Sequence, residues 1–296
     1  SLWRAAKSIS SELLLSTARR VGPMLPTRGM NFYDCEWDVL IILDTCRVDA
    51  LQEVASEYNF LPTTVDSIRS VGSKTVEWMR KTFTSEYYDE MAQTAYVTFN
   101  PNSEKELDPS LFQHLEEVWQ TDWNAEKGGV PPRPVTDRAI TAHRKLDPDR
   151  LIIHYKQPHA PYPQFEKLDP TNELKDNAND RSGSFGALIE GRVTRKELIE
   201  AYLDDLRLAL DDINLLLNSI NADRAVITAD HGECFGEYGL YGHHGWTPVP
   251  ELVQVPWVIT SAEDTSGYEP KKDLKSRPHA NHEDIDRKLS ALGYKT

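Results

Sequence analysis

The chain has 296 residues, 39% hydrophobic and 27% charged, which suits one large α/β domain or two small ones with a sizeable core. Lys and Arg total 33 against 47 Asp and Glu, a formal net charge of −14 that repels phosphate backbones and excludes a general nucleic-acid binder. Three cysteines with no CxxC spacing exclude a disulfide framework and a zinc-thiolate site, and no apolar run reaches the length of a membrane span.

Residues 1–30 form the first segment. "SLWRAAKSISSELLLSTARRVG" is basic and amphipathic, and its apolar stretch Leu13–Leu15 is too short for a secretory signal. The expectation is a helix packed on the domain, with peripheral contact to a membrane surface as the alternative. A chain without a signal or a span is expected in the cytoplasm, with an extracellular place left open. Residues 31–296 are expected to form one catalytic domain.

Val39–Leu43, "VLIIL", is a continuous apolar run ending in polar "DTCR" and reads as a buried parallel strand. Residues 48–58 follow as a helix and 60–66 as a strand. The spacing of Val76, Met79 and Phe83 predicts a helix over 73–83. Residues 94–99 read as a strand and 111–119 as a short amphipathic helix. Three prolines in 128–134 mark a loop, and Pro134 starts a helix to Leu146. Leu151–His154 is another strand. Residues 163–193 are polar and read as a long surface excursion near a site. Thr194 and Glu197 then form a capping box for the strongest helix, whose apolar face runs from Leu198 to Ile220. Strands follow at 225–229 and 255–260. The last helix is 282–292, closed by Gly293. Strands alternating with helices give an α/β class with a mostly parallel sheet.

In such sheets sites form beyond the carboxyl ends of strands. Three strands end in polar groups: Asp44, then His154 with His159, then Asp230 with His231. Asp44, Asp230 and His231 offer two carboxylates and an imidazole, a set that suits zinc or manganese; purely oxygen sites suit calcium or magnesium better. Around the last of these, "VITADHGECFGEYGLYGHHGWTP" threads five glycines among Asp230, His231, Glu233, Glu237, His243 and His244. Glu233 is expected to orient a ligand, Arg47 to make structural ion pairs, and the cysteines to pack. His114, His143, His279 and His282 are given no role, on surface helices or in the tail.

"VLIILDTCRVDAL", "HYKQPHAPY", "VITADHGECFGEYGLYGHHGW" and "ELVQVPWVIT", in that order, resemble the alkaline phosphatase superfamily in its sulfatase-like branch. The resemblance spans roughly 38–295, weakly across 84–150. It implies a three-layer α/β/α sandwich with a mostly parallel central sheet. It also implies a nucleophile at the start of a helix, in Cys/Ser-x-Pro-Ser-Arg form. "SVGSK", Ser70–Lys74, stands at that place, so Ser70 is the expected nucleophile and metal-bound hydroxyl, with Lys74 where the arginine stands; Ser73 and Thr75 are alternatives. His159 and His243 are expected to bind the charged oxygens or protonate the leaving group.

The sequence also departs from the sulfatase pattern. Thr45 stands where a second Asp is usual, Gly72 and Lys74 replace Pro and Arg, and His243 replaces a lysine. These departures point to the phosphatase, phosphodiesterase and phosphotransferase members, with zinc or manganese favoured over calcium or magnesium. The expected function is a metal-dependent hydrolase of phosphate or sulfate esters, on a small molecule, glycan or lipid, acting through a covalent ester. The alternatives are a phospho-head-group transferase acting on glycan or lipid, and a non-catalytic binding protein of the same fold.

Overall fold

The run "VLIIL" is apolar at every position because both faces of its strand are covered. Val39, Ile41 and Leu43 face one core, and Leu40 and Ile42 face another. This strand, β1 (Val39–Leu43), lies at the middle of a seven-stranded sheet in the computed structural model. The structure describes residues 15–17, 20–22, 29–162, 183–265, 267–275, 287–290 and 292.

The other strands of the sheet are β2 (Ser67–Arg69), β3 (Thr94–Thr98), β4 (His114–Glu117), β5 (Arg150–Tyr155), β6 (Ala222–Thr228) and β9 (Gln254–Ala262). Their order is β2-β9-β6-β1-β5-β3-β4. β6, β1, β5, β3 and β4 run parallel, and β9 pairs antiparallel with both β6 and β2. A small hairpin, β7 (Cys234–Phe235) with β8 (Tyr241–Gly242), stands apart.

Helices α1 (Val48–Val54), α3 (Pro132–Leu146) and α5 (Arg195–Leu217) cover one face, joined by α4 (Gly183–Glu190). Helix α2 (Thr75–Thr82) covers the other with an aromatic layer of Phe32, Tyr33, Trp37 and Trp78. The fold is therefore an α/β/α sandwich on a mostly parallel sheet. The capping box of α5 forms, with Thr194 accepting from Glu197 N and Glu197 accepting from Thr194 N.

Two expectations are corrected. Residues 60–66 are turns, and the strand lies just beyond them, at β2. Residues 111–119 are not an amphipathic helix: they carry edge strand β4, flanked by single 3₁₀ turns. Leu111, Leu115, Val118 and Trp119 mimic a helical stripe, but the buried glutamates between them decide the matter. Glu116 meets the Arg138 guanidinium on one side of the strand, while Glu117 accepts from Ser103 Oγ at 2.6 Å on the other. A strand gives these two carboxylates opposite faces. His114 is thus a strand residue, 3.1 Å from Glu116.

Most of segment 1–30, the excursion over 163–182, most of the helix expected at 282–292, and His279, His282 and Gly293 lie outside the described residues. Residues 183–190, read as part of that excursion, form α4.

Candidate active site

The carboxyl ends of β1, β3, β5 and β6 converge. Past β1, Asp44 is fully buried and Thr45 adopts a left-handed backbone, φ 67°. A β-branched residue is strained there, by about 1–3 kcal/mol, and persists only when its surroundings over-determine it. The Tyr202 hydroxyl, from α5, does so by donating to Thr45 O at 2.8 Å and accepting from Arg47 N at 3.0 Å. The turn in exchange aims Thr45 N at Asp230 Oδ1, 3.3 Å away, and His231 N donates to the same oxygen at 2.9 Å. Past β6, Gly232 is required by space: a Cβ there would lie 2.1 Å from Glu251 O.

Asp44, Asp230 and His231 offer ligand atoms within 4.8 Å of one another, all three buried. His231 Nε2 is 3.4 Å from Asp230 Oδ2 and 3.7 Å from Asp44 Oδ1. A tetrahedral ion with bonds of about 2.1 Å needs ligand atoms about 3.4 Å apart. The tautomer also fits. His231 Nδ1 lies 2.9 Å from Gly232 O and so carries the proton, which leaves the Nε2 lone pair facing the carboxylates. Asp230 Oδ2 and His154 Nε2 are buried with no hydrogen-bond partner. Buried polar atoms of that kind are rare without a partner such as an ion. The donor set fits a divalent metal.

Two further groups border this set. Asn100, two residues beyond β3, donates its amide to Asp44 Oδ2 at 3.2 Å. His154, at the end of β5, hydrogen-bonds Tyr96 at 3.0 Å through Nδ1 and places Nε2 3.7 Å from Asp44 and 3.9 Å from Asp230. Burial lowers the His154 imidazole to about 4, outweighing the attraction of Asp230, so it is neutral.

The hydroxyl at the metal set belongs to Thr75. It is the first residue of α2, fully buried, with Oγ1 3.1 Å from His231 Nε2 and 3.5 Å from Asp44 Oδ2. Ser70, the first choice from sequence, is engaged elsewhere. Its Oγ donates to Asp230 O at 2.5 Å and accepts from Gly72 N at 3.2 Å, so it buttresses the β6 turn. Ser73 Oγ lies 2.9 Å from both Glu77 Oε2 and His244 O. Gly72 leaves room for this loop, since a Cβ there would lie 2.6 Å from Trp78 N. Lys74 is the N-cap of α2 and adjoins the hydroxyl in sequence.

Imidazoles form the remaining wall. The His243 ring centroid is 4.5 Å from that of His231 and 5.0 Å from that of His159. Glu233 does not join the metal set; its carboxylate lies 3.2 Å from His243 Nδ1 and fixes that ring. Burial depresses both His159 and His243 well below the ordinary imidazole range. Lys156 adds to the effect at His159, His231 and His159 add to it at His243, and Lys74 acts on both. The His159 loop is held by Lys156, whose buried ammonium donates to His159 O, to Pro161 O at 3.0 Å and to Asp205 Oδ2 at 3.1 Å.

Among the other residues singled out in sequence, Arg47 pairs with Asp49 at 2.6 Å and Glu237 at 2.9 Å, the structural role expected for it. Cys46 and Cys234 are buried thiols. His244 Nε2 lies 3.1 Å from Tyr241 O. His143 lies 2.9 Å from Asn221 O. Sequence reasoning missed Asn100 and Lys156. The first had a signal, since it follows the apolar run "TAYVTF" as Asp44 follows "VLIIL".

A search of curated proteins finds no match. Among solved structures, the integral membrane protein lipooligosaccharide phosphoethanolamine transferase A from Neisseria meningitidis is similar with a TM-score of 0.50 at 15% identity, over 76% of this chain and 47% of that one. This chain thus spans about half the length of that protein. The soluble domain of the same transferase is similar at 0.49 and 13% identity, over 86% of each chain. The C-terminal periplasmic domain of phosphoethanolamine transferase EptC from Campylobacter jejuni is similar at 0.47 and 17%, over 75% of this chain and 78% of that one. Identity this low bears on fold alone. Among the described residues, no helix is long and apolar enough to cross a membrane. The sulfatase family model matches residues 61–292, a span that includes Thr75, His159, Asp230, His231 and His243. With that match over most of its length, and with an α/β/α sandwich carrying a buried Asp-Asp-His set, the chain belongs to the sulfatase family, in the sulfatase-like branch of the alkaline phosphatase superfamily.

Proposed function

We propose that the chain is a metal-dependent enzyme that moves a phosphorus-containing head group from an ester donor to a hydroxyl acceptor through a covalent ester on Thr75. The observation that carries this is the Thr75 hydroxyl at the start of α2, within 3.1–3.5 Å of His231 and Asp44. Asp44, Asp230 and His231 would hold the ion, which when bound supplies positive charge that eases loss of the hydroxyl proton and stabilises the ester oxygens. Two carboxylates with one imidazole suit zinc or manganese.

The residues then have separate tasks. Thr75 Oγ1 gives up its proton to solvent and forms the new bond to phosphorus while the donor's alkoxide leaves from the opposite side and takes a proton from water. The positive end of α2 and the Lys74 ammonium favour the anion under attack. His159 and His243 are neutral, so each has a lone pair to offer. Glu233 sits against His243 Nδ1, which directs the lone pair of Nε2 away from it. That nitrogen can take the proton of the acceptor hydroxyl, whose oxygen then displaces Thr75 from phosphorus. Neutral imidazoles at ordinary pH favour this general-base role over protonating a leaving group. Water in place of the acceptor alcohol gives hydrolysis, the reading that the family's sulfatase members favour. The similar fold of a phosphoethanolamine transferase supports transfer and a lipid or glycan ester substrate.

The test is mass spectrometry of protein quenched with a phosphodiester donor, alongside a sulfate ester. The expected mass gain falls on the Thr75 peptide, with the phosphodiester only, and an added alcohol raises turnover. A gain on Ser70 or Ser73 overturns the assignment of the nucleophile. A gain from the sulfate ester alone overturns the choice of phosphorus, and insensitivity to alcohol leaves hydrolysis.

A further inference from the structure

Glu77 is a carboxylate that the chemistry above does not use, yet it is buried at 6% exposure and gathers four donors from three parts of the chain. Oε2 accepts from Ser73 N at 3.1 Å and from Trp246 N at 2.7 Å, and Ser73 Oγ lies 2.9 Å from it. Oε1 accepts from Lys81 Nζ at 2.6 Å. Ser73 is two residues before Thr75, and Trp246 is three residues after His243. The knot extends further: the one proton of Ser73 Oγ is shared between Glu77 Oε2 and His244 O, 2.9 Å from each, and Ser73 Oγ accepts from Thr247 N at 3.0 Å. Lys81 closes it by donating to Val71 O at 3.1 Å and standing 4.4 Å over the Trp246 ring.

A helix cap does not need this much. The third residue of a helix ordinarily reaches back to one N–H of the cap region. Here the carboxylate also takes a donor from a loop 169 residues away. Trp246 holds a left-handed backbone, φ 63°, which costs a bulky residue about 1–3 kcal/mol and is kept only where contacts over-determine it. Trp246 N donating to Glu77 is one such contact. The strained turn immediately follows His243 and His244, so the conformation of the imidazole loop is set by a side chain of the nucleophile helix.

We infer that Glu77 is a positioning residue that fixes the register between Thr75 and His243. This rests on the reading of Thr75 as nucleophile and His243 as base. A register error near 1 Å between two groups acting on one phosphorus lowers turnover steeply, by about 10²-fold in the extreme, without weakening ground-state binding. Glu77 therefore acts on kcat, through geometry, with little effect on KM or on metal content.

The experiment compares Glu77→Ala, Glu77→Gln and Thr75→Ala with bis(p-nitrophenyl) phosphate as donor, reading kcat, KM, metal stoichiometry and melting temperature. The expected result for Glu77→Ala is a kcat lower by about 30-fold with KM within about twofold and metal content unchanged. Glu77→Gln, which keeps an acceptor for Ser73 N and Trp246 N, is expected to recover most of that loss. Thr75→Ala is expected to be inactive. Wild-type kcat in Glu77→Ala overturns the inference, as does a fall in metal content or a rise in KM that tracks kcat. Turnover by Thr75→Ala instead overturns the nucleophile assignment, and the inference with it. Should Glu77→Ala not fold, Ser73→Ala carries the same test, because it removes only the hydroxyl joining Glu77 to His244 and Thr247; an unchanged kcat there overturns the inference.

Discussion

Replacing Tyr202 with Phe removes one oxygen and no packing volume of note. That oxygen serves two backbone groups, donating to Thr45 O and accepting from Arg47 N. Thr45 O is fully enclosed, and an unsatisfied buried group costs about 1–3 kcal/mol; Arg47 N is partly enclosed and costs less. The left-handed Thr45 backbone then loses one of the contacts that hold it. Together these predict a loss of about 3 kcal/mol, or a melting temperature lower by roughly 6 °C in a chain of this size. Chemical denaturation of Tyr202→Phe measures the first and calorimetry the second. Thr45→Gly supplies the decisive control. Glycine adopts φ 67° without strain, so this change alone is expected to be close to neutral, and it also removes the Thr45 hydroxyl, which is buried without a hydrogen-bond partner. In the Thr45→Gly background the Tyr202→Phe cost is expected to shrink by about 1–2 kcal/mol. A Tyr202→Phe loss below about 0.5 kcal/mol, or one that is the same in both backgrounds, refutes the view that Tyr202 holds a strained turn.

Asp230→Ala is expected to lose stoichiometric metal, measured by atomic emission, and to abolish the stabilisation that added zinc or manganese gives the wild type. Ser70→Ala, which frees Asp230 O and leaves the proposed nucleophile Thr75 in place, is expected to lower stability by about 1–3 kcal/mol in denaturant titrations while leaving measurable turnover; complete inactivity would return Ser70 to the role of nucleophile. Metal-stripped protein is expected to lose stability on acidification. His154 is held near 4 and His159 and His243 well below 6.5, so below about pH 6.5 the unfolded chain binds protons that the folded chain refuses. Stability therefore falls between about pH 6.5 and 4, by up to roughly 4 kcal/mol per pH unit for three imidazoles, and a flat denaturation profile over that range contradicts their burial as neutral rings. Glu233→Gln is expected to lower kcat about tenfold with metal content intact, because a side-chain amide restrains the His243 ring less firmly than a carboxylate does.

Sequence carried the sheet well where strands are buried on both faces. Continuous apolar runs such as Val39–Leu43 and Leu151–His154 have no other use, and their polar termini mark the site. It failed at β4, where burial is achieved by ion pairs instead of apolar side chains. Glu116 and Glu117 look solvent-facing until Arg138 and Ser103 are known to be beside them, and those partners are 22 and 14 residues away. The two carboxylates of the candidate metal set were legible because each closes a strand. Choosing among Ser70, Ser73 and Thr75 was not, because the three hydroxyls lie within six residues and differ only in where the loop turns into α2. That turn is set by Trp78 pressing on Gly72 and by Glu77 gripping Ser73, contacts that composition and spacing do not encode.

Helix α5 carries Tyr202 and Asp205 three positions apart, hence on one side. Tyr202 grips the turn after β1, and Asp205 grips Lys156 after β5. One straight rod thus indexes two strand-end loops, the one bearing Asp44 and the one bearing His159. A single inserted residue between Arg195 and Tyr202 would swing both anchors by about 100° about the helix axis and release both loops together. Length changes are consequently forbidden in that stretch, and any force that slides α5 along its axis would open the carboxylate side and the imidazole side of the cleft in step.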